Sequence, residues 1–131
     1  MRKILFRGKR TDTNKWVYGT PLFQDGYVLI RFWNSEEFDW EEHLVSPDTI
    51  GQYTGQTDRN GKKIFEGDIC QTKYKYIDEK PFVVEWNNDD SGFYWRDAGG
   101  TDVFTVGCTK LTTVIGNIHD NPELLEQESE R

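Results

Sequence analysis

The fold is decided by one stretch of sequence, Phe82-Val83-Val84-Glu85-Trp86, followed by Asn87-Asn88-Asp89-Asp90-Ser91-Gly92 and then Phe93-Tyr94-Trp95. The two outer runs are rich in β-branched and aromatic residues, which favour strands. The six residues between them are all turn formers. Two such runs around a turn are typical of a β-hairpin, so the sequence predicts a β fold.

The strand period of two predicts how the first run is oriented. Successive strand residues point to opposite faces of a sheet, so Phe82, Val84 and Trp86 should share one face. Val83 and Glu85 should lie on the other face, with the carboxylate of Glu85 in solvent.

Further strands are predicted wherever β-branched and aromatic residues cluster between turn signals. In chain order they are Ile4–Arg7 paired with Trp16–Gly19, then Tyr27–Trp33, a strand leading from Ile64 through Tyr76, Val103–Val106 and Leu111–Ile115. The C-terminal half thus holds five short strands with turns between them. This pattern favours a small SH3-like barrel over residues 64–118.

The segment from Val45 to Gly67 has the chemistry of a connector. Ser46-Pro47-Asp48 and Asn60-Gly61 favour turns, and four glycines punctuate the segment. We therefore expect a boundary near its middle, with an N-terminal β-rich subdomain at 1–54 and the barrel at 55–131.

A short helix is predicted near the C-terminus. Asn121 is a favourable N-cap, Pro122 suits the first helical position, and Glu123 suits the positive end of the helix dipole. Leu124 and Leu125 would anchor one or two turns.

The composition limits the class of protein. The 131 residues, with a mass of 15.4 kDa, are 35% hydrophobic and 15% aromatic, and disordered chains are poor in aromatic residues. No apolar run approaches the roughly 20 residues that a membrane-spanning helix needs. Cys70 and Cys108 are too few for a disulfide scaffold, and the apolar run Ile4-Leu5-Phe6 is too short for a signal peptide. We therefore expect a cytoplasmic protein with reduced thiols.

The charge is acidic overall and unevenly distributed. Sixteen Lys and Arg residues against 23 Asp and Glu residues give a net charge of -7 at pH 7, the wrong sign for a generic nucleic-acid binder. Residues 1–15 nevertheless carry six basic residues and one acidic residue. This basic start suits a solvated strand edge, which we favour, or a contact with an acidic partner or sister subunit.

No catalytic, cofactor-binding or metal-binding residue is predicted. The segment from Gly55 to Lys63 approaches a phosphate loop, but it has five residues between its glycines instead of four, no Ser or Thr after the lysine, and a strand in place of the helix. His43, His119, Cys70 and Cys108 lack the spacing of zinc ligands, and no nucleophile motif surrounds either cysteine. We expect Cys70 to act as a small buried hydrophobe and His119 as a turn residue.

The aromatic residues allow two interpretations. Trp33, Trp40, Trp86, Tyr94 and Trp95 lie beside acidic residues, which would repel a phosphate backbone. We favour core and cross-strand positions for them. Those that are exposed would serve a protein interface, where Trp and Tyr are enriched.

Three blocks of this sequence resemble the YopX-like family of phage and prophage proteins, which has no assigned activity. The blocks are Phe6-Arg7-Gly8-Lys9 with Trp16-Val17-Tyr18-Gly19, Ile50–Gly55 continued by Asp58–Ile69, and Val114–Leu125. They occur in family order along essentially the whole chain. The resemblance implies a β-rich fold with an SH3-like barrel, a bacterial host cell, and no catalytic residue to transfer.

Two function classes follow from these observations. The first is a non-enzymatic phage accessory protein that binds a phage or host protein. One form of this hypothesis is a homo-oligomer. The alternative is a nucleic-acid-associated SH3-like module, and an enzyme of unknown class has the least support. The nucleic-acid alternative needs a basic groove, which would have to be built from Lys62, Lys63, Lys73, Lys75, Lys80 and Arg96. Lys73 and Lys75 would share a strand face there.

Overall fold

The computed structural model describes residues 3–72, 81–97, 103–105 and 111–126. The protein is mainly β, with its strands in antiparallel sheets. The chain forms two compact units, residues 1–53 and residues 54–131. Whether the predicted subdomains 1–54 and 55–131 fold independently stays a prediction. In the part of the chain that the structure describes, no helix has the length and apolar character to cross a membrane.

The first unit is an antiparallel sheet with the strand order β4-β3-β2-β1-β5. Its strands are β1 (Phe6–Lys9), β2 (Trp16–Gln24), β3 (Tyr27–Asn34), β4 (Asp39–Val45) and β5 (Gly51–Thr57), the last of which continues into the second unit. The predicted pairing of the first two strands is confirmed, with Phe6 opposite Gly19 and Lys9 opposite Trp16. The predicted strand Tyr27–Trp33 is β3.

The core of the first unit lies on one face of β3. Val28, Ile30 and Val45 are fully buried, with Phe6 and Val17 packed against them. Val28 and Ile30 are two residues apart, so the strand period places both on the same face.

The second unit contains the end of β5 and six further strands. They are β6 (Lys63–Phe65), β7 (Asp68–Thr72), β8 (Pro81–Asn87), β9 (Gly92–Asp97), β10 (Val103–Thr105) and β11 (Thr112–Asn117). β6 pairs with β5, and the other five form an antiparallel sheet with the order β10-β9-β8-β7-β11. The core is a cluster of Ile64, Cys70, Phe82, Val84 and Trp95.

The hairpin predicted from the opening stretch is confirmed. β8 pairs with β9 from Phe82 opposite Asp97 to Asn87 opposite Gly92. Val84 is fully buried, whereas Trp86 is 44% exposed at the end of the strand. The indole of Trp86 packs edge-on against Phe93, with ring centroids 5.1 Å apart. Glu85 lies at the surface and pairs with Arg96.

The predicted SH3-like barrel is not confirmed, because the five-stranded sheet is open within the described residues. The outer edge of β11 bonds instead to a turn. Arg59 donates its backbone N–H to the carbonyl of Thr112 at 2.9 Å, and the backbone N–H of Val114 donates to the carboxylate of Asp58 at 3.0 Å. This turn gives hydrogen-bond partners to two backbone groups at that edge.

The predicted connector from Val45 to Gly67 is wrong as a whole, since β5 and β6 lie within it. Its predicted turn at Asn60-Gly61 is present, with a φ of 83° at Gly61. The single predicted strand from Ile64 is interrupted at Glu66-Gly67, where Gly67 has a φ of 90° that few other residues adopt. Its end, from 73 to Tyr76, lies outside the described residues, as does Val106 of another predicted strand.

The predicted C-terminal helix is a single 3-10 turn, Pro122–Leu125. Leu124 donates its backbone N–H to the carbonyl of Asn121, which is an i to i+3 bond. The side chain of Asn121 does not cap this turn, because its Oδ1 accepts the backbone N–H of Asn117 at 3.2 Å. The α-helix prediction depended on Asn121 as an N-cap, but its side chain instead attaches the turn to the end of β11.

Candidate functional site

The histidines and cysteines that catalysis would require occupy core, stacked or turn positions where the structure describes them. Cys70 is a buried cysteine, 1% exposed within the core of the second unit. His43 stacks on Phe32, with ring centroids 5.5 Å apart, and its Nε2 lies 2.9 Å from Glu41 Oε1. His119 lies in a turn after β11, as predicted. Cys108 lies outside the described residues.

The segment that resembles a phosphate loop is a tight turn. Asp58 and Lys62 are joined by a backbone bond of 2.7 Å from the N–H of Asp58 to the carbonyl of Lys62. β6 begins at Lys63, so no helix N-terminus follows the turn. Among the described residues, no cluster of three or more His, Cys, Asp or Glu side chains could hold a metal ion.

The aromatic residues divide between core and surface. Trp95 is buried in the core of the second unit, as the favoured interpretation predicts. Trp33 and Trp40 are 48% and 53% exposed in the first unit. Of the twelve large hydrophobic residues that are exposed in the described chain, five lie on the hairpin formed by β3 and β4, namely Tyr27, Trp33, Phe38, Trp40 and Leu44. This concentration makes the hairpin the candidate binding site.

Alternation along β3 and β4 builds one continuous surface. The register sets Leu29 opposite Leu44, and these residues share a sheet face because directly paired residues point the same way. The same face carries every second residue of both strands. We call this surface the aromatic face; its residues are Tyr27, Leu29, Arg31, Trp33, Trp40, Glu42 and Leu44.

Three side chains order the centre of the aromatic face. The indoles of Trp33 and Trp40 are cross-strand partners that meet edge to face, with centroids 5.4 Å apart and an interplanar angle of 72°. The guanidinium of Arg31 lies 4.6 Å from the ring centroid of Trp40. Both contacts restrict the indoles before any partner binds, which lowers the entropy cost of binding.

The loop between β3 and β4 presents another aromatic ring. Asn34 Oδ1 accepts the backbone N–H groups of Glu36 and Glu37, at 3.0 and 3.2 Å, which fixes the start of the loop. Phe38 follows with a φ of 51°, a left-handed conformation that is unfavourable for a bulky residue. Its side chain is 81% exposed, so no packing within the described chain accounts for phenylalanine at this position.

The hairpin is strongly acidic. Residues 27–44 contain five Asp and Glu residues against one arginine. Glu41 accepts a hydrogen bond from Asn34 and lies beside His43, and these two contacts lower the pKa of the Glu41 carboxyl. The Glu41 carboxyl is therefore ionised near neutral pH; it lies on the sheet face opposite to the aromatic face, whereas Glu42 lies on the aromatic face itself. The acidic composition of the hairpin suits a partner that combines apolar and positively charged groups.

Trp33 and Trp40 are among the residues that the sequence predicts for an interface, whereas Phe38, Arg31 and the shared face are identified only in the structure. One signal was available: β3 has large apolar residues at both odd and even positions, and only one face of a sheet can pack on this core. The second signal was Phe38, an apolar residue in a turn where glycine or asparagine is usual.

Comparisons with known proteins identify the family of the chain. The family model described as YopX protein matches residues 5–126. The chain is similar to the solved structure titled "Crystal structure of protein EF1440 from Enterococcus faecalis", with 27% sequence identity, a TM-score of 0.60, and coverage of 96% of this chain and 100% of that chain. No curated protein matches the chain. Because the family model spans nearly all of the sequence, the chain belongs to the YopX protein family.

Proposed function

We propose that this protein is a non-enzymatic protein-interaction module whose aromatic face binds a phage or host protein in the bacterial cytoplasm. The observation that carries the proposal is the exposed pair of Trp33 and Trp40, held by Arg31 on one sheet face. Trp, Tyr and Arg are the residues most enriched among those that dominate binding energy at interfaces. The family's occurrence in phages and prophages supports the biological setting.

The size of the surface supports a specific interface. Each of its large side chains is roughly half exposed, so with Phe38 the patch is on the order of 400 Å². Patches of this size on monomeric proteins are often functional. A binding partner would remove these side chains from water and offset the cost of the left-handed backbone at Phe38.

The charge of the surface defines the partner's chemistry. The acidic loop residues Glu36 and Glu37 flank the aromatic side chains. The matching surface is an apolar centre with Lys or Arg residues at its edge, since cations gain from both carboxylates and indole rings. A second copy of this chain, through its basic residues 1–15, is one partner that the experiment below would detect.

The alternative of a nucleic-acid-associated SH3-like module receives less support. Lys73, Lys75 and Lys80, which its basic groove requires, lie outside the described residues, and Arg96 pairs with Glu85. The barrel itself stays a proposal for the second unit, supported by its short antiparallel strands. An acidic aromatic face would repel the phosphate backbone.

The test begins with affinity capture of the tagged protein from infected cells, with and without nuclease. The captured protein is then purified and titrated against the wild type and the Trp33→Ser and Trp40→Ser variants. We expect each substitution to weaken binding by at least about tenfold, as for buried tryptophans at interface centres. The matched control is Trp86→Ser, which removes a tryptophan of similar exposure from the other unit.

Two results would overturn the proposal. Capture that nuclease abolishes would favour the nucleic-acid module. Equal affinities for the wild type and both hairpin variants, with native circular dichroism in all, would exclude the aromatic face as the binding surface.

A further inference from the structure

An open groove of about 330 Å³ lies on the second unit, outside the aromatic face. Its lining residues are Arg59, Asn60, Gln71, Thr113 and Ile115, and we call it the polar groove. Its volume is at the lower end of the range for small-ligand sites, about 300–1,000 Å³. Four of the five side chains carry N–H or O–H donors, and one supplies an apolar wall.

The floor of the polar groove is a pair of strands. Gln71 on β7 and Thr113 on β11 are directly opposite each other, so their side chains share one sheet face. Their neighbours Cys70 and Val114 point to the opposite face, into the core. The two polar floor residues are thus held in place by a packed sheet.

The rim of the groove is the turn after β5, and the carboxylate of Asp58 holds that turn. It accepts the backbone N–H groups of Asn60 and Lys62, each at 2.9 Å, and that of Val114 at 3.0 Å. Asp58 is only 6% exposed. Three bonds to one ionised acceptor leave the turn little freedom, so the groove is formed before a ligand arrives.

Arg59 is fixed at this rim by its own backbone, because its N–H donates to the carbonyl of Thr112 at 2.9 Å. Among the described residues, none forms an ion pair, a hydrogen bond or a ring contact with its guanidinium, and the side chain is exposed. The other described arginines all have a partner: Arg7 lies over Trp16, Arg10 pairs with Asp12, Arg31 pairs with Glu42, and Arg96 pairs with Glu85. The guanidinium of Arg59, which is in no ion pair with a described residue, lines the groove and has its donors available for a ligand.

The chemistry of the lining selects the ligand. A guanidinium binds a carboxylate through two parallel hydrogen bonds. The amides of Asn60 and Gln71 match the donors and acceptors of a peptide backbone, and Ile115 offers an apolar contact. A single cation lines the groove, which balances one carboxylate and leaves a dianionic phosphate half-compensated.

We propose that the polar groove binds an acidic peptide segment, with the guanidinium of Arg59 holding an Asp or Glu carboxylate and the amides of Asn60 and Gln71 holding the peptide backbone. This site is independent of the proposed function, since it lies on the second unit and prefers a ligand of opposite charge. It would give the protein two binding surfaces for different partners.

The test is a titration of the full-length ¹⁵N-labelled protein followed by NMR. The probes are acetyl-Ala-Glu-Ala amide, the same peptide with Gln in place of Glu, and inorganic phosphate. We expect the Glu peptide to shift the resonances of Arg59, Asn60 and Thr113, and to bind about tenfold more tightly than the Gln peptide. Phosphate should bind more weakly than the Glu peptide.

Variants identify the group that binds. Arg59→Gln should remove the preference for Glu over Gln, and Arg59→Lys should retain a reduced preference because an ammonium cannot form the two-pronged contact. The matched control is Lys63→Gln, which removes an exposed cation that does not line the groove and should leave binding unchanged. Thr113→Val alters the floor without touching the Asp58 turn and should weaken binding several-fold.

Equal binding of the Glu and Gln peptides would overturn the proposal. So would a Glu preference that survives in Arg59→Gln, or one that is lost in Lys63→Gln. Tighter binding of phosphate than of the Glu peptide would contradict the assignment to carboxylates. A well-dispersed spectrum for each variant shows that the fold is retained; if Arg59→Gln fails to fold, the Thr113→Val result decides.

Discussion

The carboxylate of Asp58 accepts the backbone N–H of Val114 across 3.0 Å, which joins two residues 56 positions apart in the sequence. The same carboxylate accepts two N–H groups of its own turn, at Asn60 and Lys62. One buried side chain therefore closes a local turn and attaches that turn to the edge of β11. This contact gives a backbone donor at that edge a hydrogen-bond partner.

Replacing Asp58 by Asn should lower the free energy of unfolding by about 2–4 kcal/mol, because an amide has one acceptor oxygen and directs an N–H2 group towards backbone donors. Chemical denaturation followed by tryptophan fluorescence measures the change. Asp48→Asn is the control, since Asp48 is exposed and its substitution should cost no more than about 0.5 kcal/mol. A change for Asp58→Asn as small as that of the control would contradict this role.

The stability of the protein should also depend on pH through Asp58. Burial by itself would raise the pKa of this carboxyl. The hydrogen bonds from the backbone N–H groups of Val114, Lys62 and Asn60 lower the pKa by more than burial raises it, so the pKa lies below the ordinary value of 3.8. The unfolded chain therefore takes up a proton at a higher pH than the folded chain does. The stabilisation from Asp58 is complete above the unfolded pKa and is lost as the pH falls through the folded pKa.

We expect the unfolding free energy of the wild type to fall as the pH drops below about 4, and Asp58→Asn to show a flatter profile there. Glu41 and Asp12 also have lowered pKa values but are more exposed, so solvent screens their contributions. Denaturation curves between pH 7 and the acid limit of solubility provide the measurement. Parallel profiles for the wild type and the variant would show that another group controls acid stability.

Local pattern was sufficient to predict some of the strands, but not β4 or β5. Tyr27–Trp33 and the hairpin from Phe82 to Trp95 carry both the strand-forming composition and the turn signals that delimit them, so their positions follow from the sequence. The hydrogen bond between Asp58 and Val114 at the edge of β11 has no signal in the local sequence, because it joins two residues that are far apart in the chain. The predicted barrel is not confirmed within the described residues.

The candidate site was predictable only in part. Trp33 and Trp95 both lie in aromatic strands beside acidic residues, yet one is half exposed and the other is buried. Strand alternation assigns a residue to a face, but tertiary packing decides which face is covered. The left-handed backbone at Phe38 is likewise visible only in the structure.

The phenylalanine at position 38 should lower the stability of the protein and strengthen the binding of its partner. An asparagine adopts a left-handed backbone more readily than a phenylalanine, so Phe38→Asn should raise the unfolding free energy by about 0.5–1 kcal/mol. The same variant should bind the partner of the aromatic face more weakly. Phe23→Asn is the control, because Phe23 is also highly exposed but has an extended backbone and should gain no stability. Increased partner affinity in Phe38→Asn would contradict a binding role for this side chain.

The close approach of β2 to β3 should make Gly19 irreplaceable. A Cβ atom at this position would lie 2.2 Å from the backbone carbonyl oxygen of Arg31, and a backbone atom cannot move without separating the two strands. Gly19→Ala should therefore lower the unfolding free energy by about 2–4 kcal/mol, as overpacking against a fixed neighbour does. It should also weaken partner binding, since Arg31 orders the indole of Trp40.

Gly92→Ala is the matched control for that change. Gly92 also lies in a strand, but a Cβ atom there would meet nothing closer than 3.9 Å. Its substitution should leave stability unchanged or raise it by up to about 1 kcal/mol, because alanine has less freedom than glycine in the unfolded chain. Thermal unfolding of both variants separates the two effects. If Gly19→Ala were as stable as Gly92→Ala, β2 and β3 would not be in the close contact that the structure shows between Gly19 and the carbonyl of Arg31.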